Sequence, residues 1–146
     1  MRIVVDTNIA FSAILNTRSM IGGIILQPKS RFHFYSTDLL SAEIQEHKKK
    51  LKLLAGFSDS ELESTILLIT NRIRFIDVKL LPTIVLIKAQ ELLTDIDIDD
   101  TEFVALTNHI RGKLWSGDKV LQKGLKQKGW EKFISANELY EFISKK

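Results

Sequence analysis

Short runs of β-branched and aromatic residues, each followed by a stretch patterned like a helix, recur along this chain, and no other feature constrains its fold as strongly. Ile3-Val4-Val5 is wholly apolar and reads as a buried strand, and Phe32-His33-Phe34-Tyr35-Ser36 is strand-like in its aromatic content. Residues 74–78, 113–116 and 133–134 are the remaining strand candidates. Between the first two lie apolar helical segments at 9–15 and 21–26. Leu40, Ile44, His47 and Leu51 then recur at helical spacing and predict one amphipathic helix over 37–54. Ser58-Asp59-Ser60-Glu61 and Ser135-Ala136-Asn137-Glu138 carry the pattern of a capping box, in which Ser and Glu side chains satisfy the free N–H groups of a helix start. Further helices are expected over 83–93, 100–110 and 119–128. Strands joined through helices lie parallel, and the crossovers cover both faces of the sheet. The expected fold is therefore α/β, a three-layer α/β/α sandwich around a central, mostly parallel sheet.

The 146 residues, 45% hydrophobic and 27% charged, suit one domain spanning 1–146 with a single core. Cysteine is absent, which excludes disulfide frameworks, thiolate metal sites and cysteine nucleophiles, and favours a reducing compartment. No uncharged run approaches the ~18 to 20 residues of a membrane helix. Asp6 interrupts the amino terminus too early for a secretion signal, so a soluble, cytoplasmic protein without membrane contact is expected. The net charge of +3 is unevenly spread. Glu91, Asp95, Asp97, Asp99, Asp100 and Glu102 fall together without a base, whereas the chain beyond His109 is rich in lysine. Carboxylates for cations and lysines for phosphates are what a metal-dependent nuclease requires.

In open parallel sheets ligands bind beyond the carboxyl ends of the strands. Asp6 follows Ile3-Val4-Val5 directly, and Asp118 follows Leu114-Trp115-Ser116-Gly117, so both fall at that end. Either could simply cap the helix after it. Glu43 sits at the border of the buried stripe of its helix, and Asp100 lies in line with the buried face of the next acidic helix, at its first turn. A cap and a rim ion pair are their plain structural roles. Four carboxylates held together would repel one another and raise their own pKa values, so such an arrangement calls for cations. Oxygen ligands select Mg²⁺ or Mn²⁺, which suits hydrolysis of a phosphodiester by an activated water.

Four pieces in order along the chain resemble the PIN domain. They are Ile3-Val4-Val5-Asp6-Thr7-Asn8, Glu43 on the helix after the second strand, Asp97-Ile98-Asp99-Asp100-Thr101-Glu102-Phe103-Val104-Ala105-Leu106-Thr107, and Leu114-Trp115-Ser116-Gly117-Asp118-Lys119. The resemblance implies a metal-dependent ribonuclease fold whose catalytic and metal-binding acids fall on Asp6, Glu43, Asp100 and Asp118, with Asn8 and Ser116 as polar helpers. The spacing to Phe103 selects Asp100 as third acid, and Asp97 and Asp99 are the other registers. Small single-domain members of this family are commonly toxins paired with an antitoxin, similar to the VapC type, and they dimerise. An antitoxin partner and a homodimer are therefore expected. Two positions depart from the family pattern: Ser116 stands where Thr is commoner, and Thr107 where a small Ala is usual.

Lys119, Lys123 and Lys126 form one stripe on the helix that starts beside Asp118, placed either to guide RNA or simply to face solvent. His33, His47 and His109 lack helical partners and read as structural, and Trp115 and Trp130 read as core. The acidic run has no Gly at the turn of a calcium loop. A receiver-like phosphoacceptor would want two acids after the first strand, where Val5-Asp6-Thr7 supplies one. A catalytically weak nucleic-acid-binding or regulatory module on the same fold is the alternative to the enzyme.

Overall fold

The computed structural model describes residues 1–28 and 31–145. In chain order it contains β1 (Arg2–Val5), α1 (Thr7–Leu15), α2 (Met20–Ile25), β2 (His33–Thr37), α3 (Asp38–Glu46), α4 (Lys48–Ala55), α5 (Asp59–Thr70), β3 (Ile73–Ile76), α6 (Thr83–Leu93), α7 (Thr101–Ile110), β4 (Lys113–Trp115), α8 (Lys119–Gln127), β5 (Phe133–Ile134) and α9 (Ala136–Ser144). Short 3-10 turns occupy Val78–Leu80 and Ile98–Asp100. The strands form one sheet in the order β3-β2-β1-β4-β5, and every neighbouring pair is parallel. The expected α/β sandwich is thus present, with a sheet parallel throughout rather than mostly so. β1 lies at its centre, where Ile3, Val4 and Val5 are fully buried, as an apolar run covered on both faces must be.

The helices form two groups. α1 packs on α2, α3, α4 and α5, with α9 against α2, while α6 packs on α7 and α7 lies across β1, β2 and β4. Right-handed crossovers explain the division. The chain steps from β1 to β2 to β3 in one direction, then returns past β1 to β4 and β5, so the crossover helices before and after the reversal cover opposite faces, while α9, which follows the last strand, returns to the first group. That reversal opens a crevice beyond the carboxyl ends of β1 and β4.

Both capping boxes form. Glu61 N donates to Ser58 Oγ at 3.1 Å while Ser58 N donates to Glu61 Oε1 at 2.9 Å, and Ser135 and Glu138 repeat the exchange. The helix expected over 37–54 is instead two helices. Thr37 belongs to β2, and the helix turns at His47, whose φ of −103° and ψ of 15° leave the helical region. His47 Nδ1 lies 3.0 Å from the carbonyl oxygen of Glu43, and its ring rests 5.6 Å from that of Phe11. The bonds from His47 N to the Glu43 carbonyl and from Leu51 N to the His47 carbonyl, both 3.0 Å, run on through the turn, so the chain changes direction there without losing them. β3 stops at Ile76 because Asp77 starts a turn, its Oδ1 accepting from Lys79 N at 2.9 Å. Trp115 and Trp130 are core, as expected. Thr107 fits where a small residue was expected because its hydroxyl donates to the Phe103 carbonyl at 2.7 Å and so stays satisfied while buried. Among the described residues no helix is long and apolar enough to cross a membrane.

Candidate metal centre

Asp6 leaves β1 directly into the crevice. It is 4% exposed, and its Oδ1 accepts from Ile9 N at 2.9 Å, so it does cap α1. The cap does not account for its surroundings. Burial pushes its pKa up against the lowering effect of hydrogen bonds from Ser116 and Ile9, and the charges of Asp118 and Glu43 push in the same upward direction. Asp118 likewise caps α8, its Oδ1 accepting from Val120 N at 3.0 Å and Leu121 N at 3.1 Å. Ser116 joins the two acids: its hydroxyl bonds to Asp6 and accepts from Asp118 N at 3.1 Å. Gln122 Nε2 donates to the Ser116 carbonyl at 2.8 Å and holds this bend from within α8.

The other carboxylates arrive on the turn before α7. Asp97 Oδ1 accepts from Asp99 N at 3.1 Å, which shapes the turn and directs Asp100 inward. Asp97, Asp100 and Asp118 each bring a carboxylate oxygen within 4.8 Å of the others. Asp100 is half-buried and makes no side-chain cap bond to α7. Its pKa is pushed up to about 7, first by burial and then by the charges of Asp97, Asp6 and Asp118. A helix-cap role is thereby removed for Asp100, whereas Asp118 is a cap and a member of the acidic cluster at once, and Asp6 is a cap whose charge reaches that cluster.

Packing against α8 sets the register of the acidic segment. A Cβ at Gly124 would stand 2.8 Å from Cδ1 and 3.0 Å from Cγ1 of Ile96, so Ile96 lies against bare helix backbone. Lys128 Nζ donates to the Leu92 carbonyl at 2.7 Å and pairs with the Asp95 carboxylate. The helix that presents Asp118 at its start therefore also docks the segment carrying Asp97 and Asp100.

Glu43 stands beside this cluster on α3, its Oε1 accepting from Thr7 Oγ1 at 2.9 Å. Glu102, on the first turn of α7, has its pKa raised by burial and then by the charges of Asp38 and Glu43. Of the four expected acids, Asp100 and Asp118 thus come together, with Asp97 as the third member; Asp6 acts on this group, and Glu43 on Asp6, through their charges from outside the triad, and Asp99 is exposed and not part of it. Asn8 is exposed on α1, and its neighbour Thr7 is the residue that reaches an acid. Sequence reasoning missed Thr7, Glu102, Gln122 and Gly124. Glu102 sits in the acidic run and could have been found there, whereas the roles of the other three depend on contacts between distant segments. Lys119, Lys123 and Lys126 are exposed along α8, opposite buried Leu121 and Leu125.

A parallel sheet whose reversal point is lined by converging aspartates defines an α/β protein with a cation-type site at the carboxyl end of its central strands. The chain belongs to the PIN domain family, whose model matches residues 4–137. Among solved structures, the crystal structure of VapBC2 from Rickettsia felis bound to a DNA fragment from their promoter has a chain of the same fold. The TM-score is 0.66 at 16% identity, covering 92% of this chain and 97% of that one. No curated protein sequence matches the chain.

Proposed function

We propose that the chain is a Mg²⁺- or Mn²⁺-dependent endoribonuclease, acting as the toxin of a toxin–antitoxin pair. The observation that carries this reading is the convergence of Asp97, Asp100 and Asp118 within 4.8 Å, uncompensated by any basic side chain among the charges that move Asp100. The donor set consists of carboxylate oxygens, which suits a hard divalent cation. Asp97, Asp100 and Asp118, with Asp6, would hold it. When bound, such a cation supplies Lewis acidity and an acidified water for attack on phosphorus. The chain's own residues do the rest. The caps at Ile9, Val120 and Leu121 fix the Asp6 and Asp118 carboxylates, and Ser116 ties one to the other. Thr7 orients Glu43 at the flank, where its carboxylate can accept a proton from an incoming water. Lys119, Lys123 and Lys126 supply phosphate contacts along the helix that starts at the site.

The family and the VapBC2 likeness favour an antitoxin partner, and with it a homodimer and a cytoplasmic setting, for the whole of 1–146 acting as one unit. The test is cleavage of single-stranded RNA by purified protein with Mn²⁺, its loss with EDTA, and its loss in a folded Asp6→Asn variant, with single-stranded DNA as the comparison substrate. Undiminished cleavage by that variant refutes the assignment. RNA binding without any cleavage by wild type points instead to the weak binding module.

A further inference from the structure

The same parallel sheet that gathers carboxylates at one end gathers cations at the other. Arg2, His33 and Lys113 are the opening residues of β1, β2 and β4, Arg72 stands just before β3, and Arg74 is its second residue. Arg111, at the end of α7, completes the set, and all six side chains are exposed. Two adjoining cavities of about 560 and 660 Å³ open here, and Arg2 and His33 line both. One acid, Glu138, lines them, and its Oε1 is taken by the Ser135 N–H at 3.1 Å. Among the described residues none of the five arginine and lysine side chains here is ion-paired.

We propose that this amino-terminal pole is a second nucleic-acid surface, which takes the phosphodiester backbone of single-stranded RNA away from the acidic centre. A cluster of unneutralised arginines disfavours any partner but an anion. The positive row runs from β3 across β2 and β1 to β4, three strand spacings of about 4.8 Å each, or about 14 Å in all. That length suits a chain of phosphates rather than one. Aromatic rings stand among the cations: Tyr35 carries the Arg74 guanidinium 5.9 Å from its ring centroid, and Phe133 lines the cavity on the β4 side. Cations that follow a backbone beside rings that accept bases are the general means of holding single strands. Double-stranded nucleic acid would leave those rings unused. Because the surface lies at the opposite end of the strands from Asp6 and Asp118, its occupancy does not depend on cleavage, so this inference can fail while the nuclease reading stands.

The test measures binding of a fluorescent single-stranded oligouridine of ~12 nucleotides to the full chain in EDTA, where no metal-dependent cleavage occurs. Anisotropy is followed between roughly 50 and 200 mM salt. Replacing Arg72, Arg74 and Lys113 together by glutamine should weaken binding about tenfold at low salt. The log–log salt slope should fall by about 2, since each phosphate contact on a single strand contributes roughly 0.7. The charge-keeping variant Arg72→Lys with Arg74→Lys should retain the slope. In wild type, 4-thiouridine in the same oligomer should cross-link to peptides carrying Tyr35 or Phe133, a readout that needs no variant. Unchanged affinity and slope in the glutamine variant overturn the proposal, as do cross-links confined to peptides carrying residues 97–126. Wild-type binding to phosphatidylserine vesicles but not to the oligomer also overturns it.

Discussion

Replacing Asp100 by asparagine should stabilise the metal-free protein, and by an amount that depends on pH. Its carboxyl is raised from 3.8 to about 7 by burial and by Asp97, Asp6 and Asp118. At full strength that shift corresponds to about 4 kcal/mol, and solvent screening of a half-buried group reduces it to about 1–2 kcal/mol. Below about pH 4 the group is protonated in folded and unfolded chains alike, and replacing it changes nothing. Between the unfolded value of 3.8 and the folded value of about 7 the unfolded chain releases its proton while the folded chain keeps it, so wild type loses stability as pH climbs. Above about 7 the penalty is complete.

For a domain of this size each kcal/mol moves the midpoint by about 2–4 °C, so Asp100→Asn should melt roughly 2–8 °C above wild type at pH 8 and level with it near pH 4. Asp100 makes no cap bond, so Asp100→Ala should follow Asn closely rather than fall below it. Mn²⁺ should reverse the order. At about a hundred times its dissociation constant a folded-state ligand adds about 2.7 kcal/mol, a gain that wild type should show and both variants largely lose. Circular-dichroism melts in EDTA and in Mn²⁺ across this pH range provide the measurement. A difference between wild type and Asn that does not vary with pH, or equal Mn²⁺ shifts in all three proteins, refutes the reasoning.

Gly124→Ala should lower Mn²⁺ affinity several-fold by calorimetry even though Ala favours the helix by about 1 kcal/mol. Its Cβ displaces Ile96, and with it Asp97 and Asp100, from Asp118; unchanged affinity would show that the segment is not registered by this contact. Exchanging Lys119, Lys123 and Lys126 for glutamine should weaken RNA binding and lower its salt slope by about 2 while leaving cleavage positions where they were, because phosphate contacts carry no base information. An unaltered slope would make the stripe a solvated face. Asp6→Asn and the exchange of Arg72, Arg74 and Lys113 test the two ends of the sheet separately.

The amino-acid sequence by itself determined the local order of this protein. Strand-like runs such as Ile3-Val4-Val5 and the two Ser-x-x-Glu boxes act over a few residues, so their outcome is written where they stand, and the alternation of strand and helix dictated a parallel sheet. The positions of Asp6 and Asp118 were legible for the same reason: an acid directly after a strand in such a sheet has one end to occupy. Tertiary structure alone decided that the long helix over 37–54 turns at His47, whose ring packs against Phe11 of α1, a contact that no periodicity within 37–54 announces. It also brought Asp97 and Asp100, but not Asp99, beside Asp118. The basic pole belongs to this second class, since its residues lie up to about a hundred positions apart and meet only because parallel strands align their first residues. Periodicity reports which face of an element is buried; what that face meets depends on distant segments arriving there, and only the folded sheet brings Gly124 to Ile96 or Thr7 to Glu43.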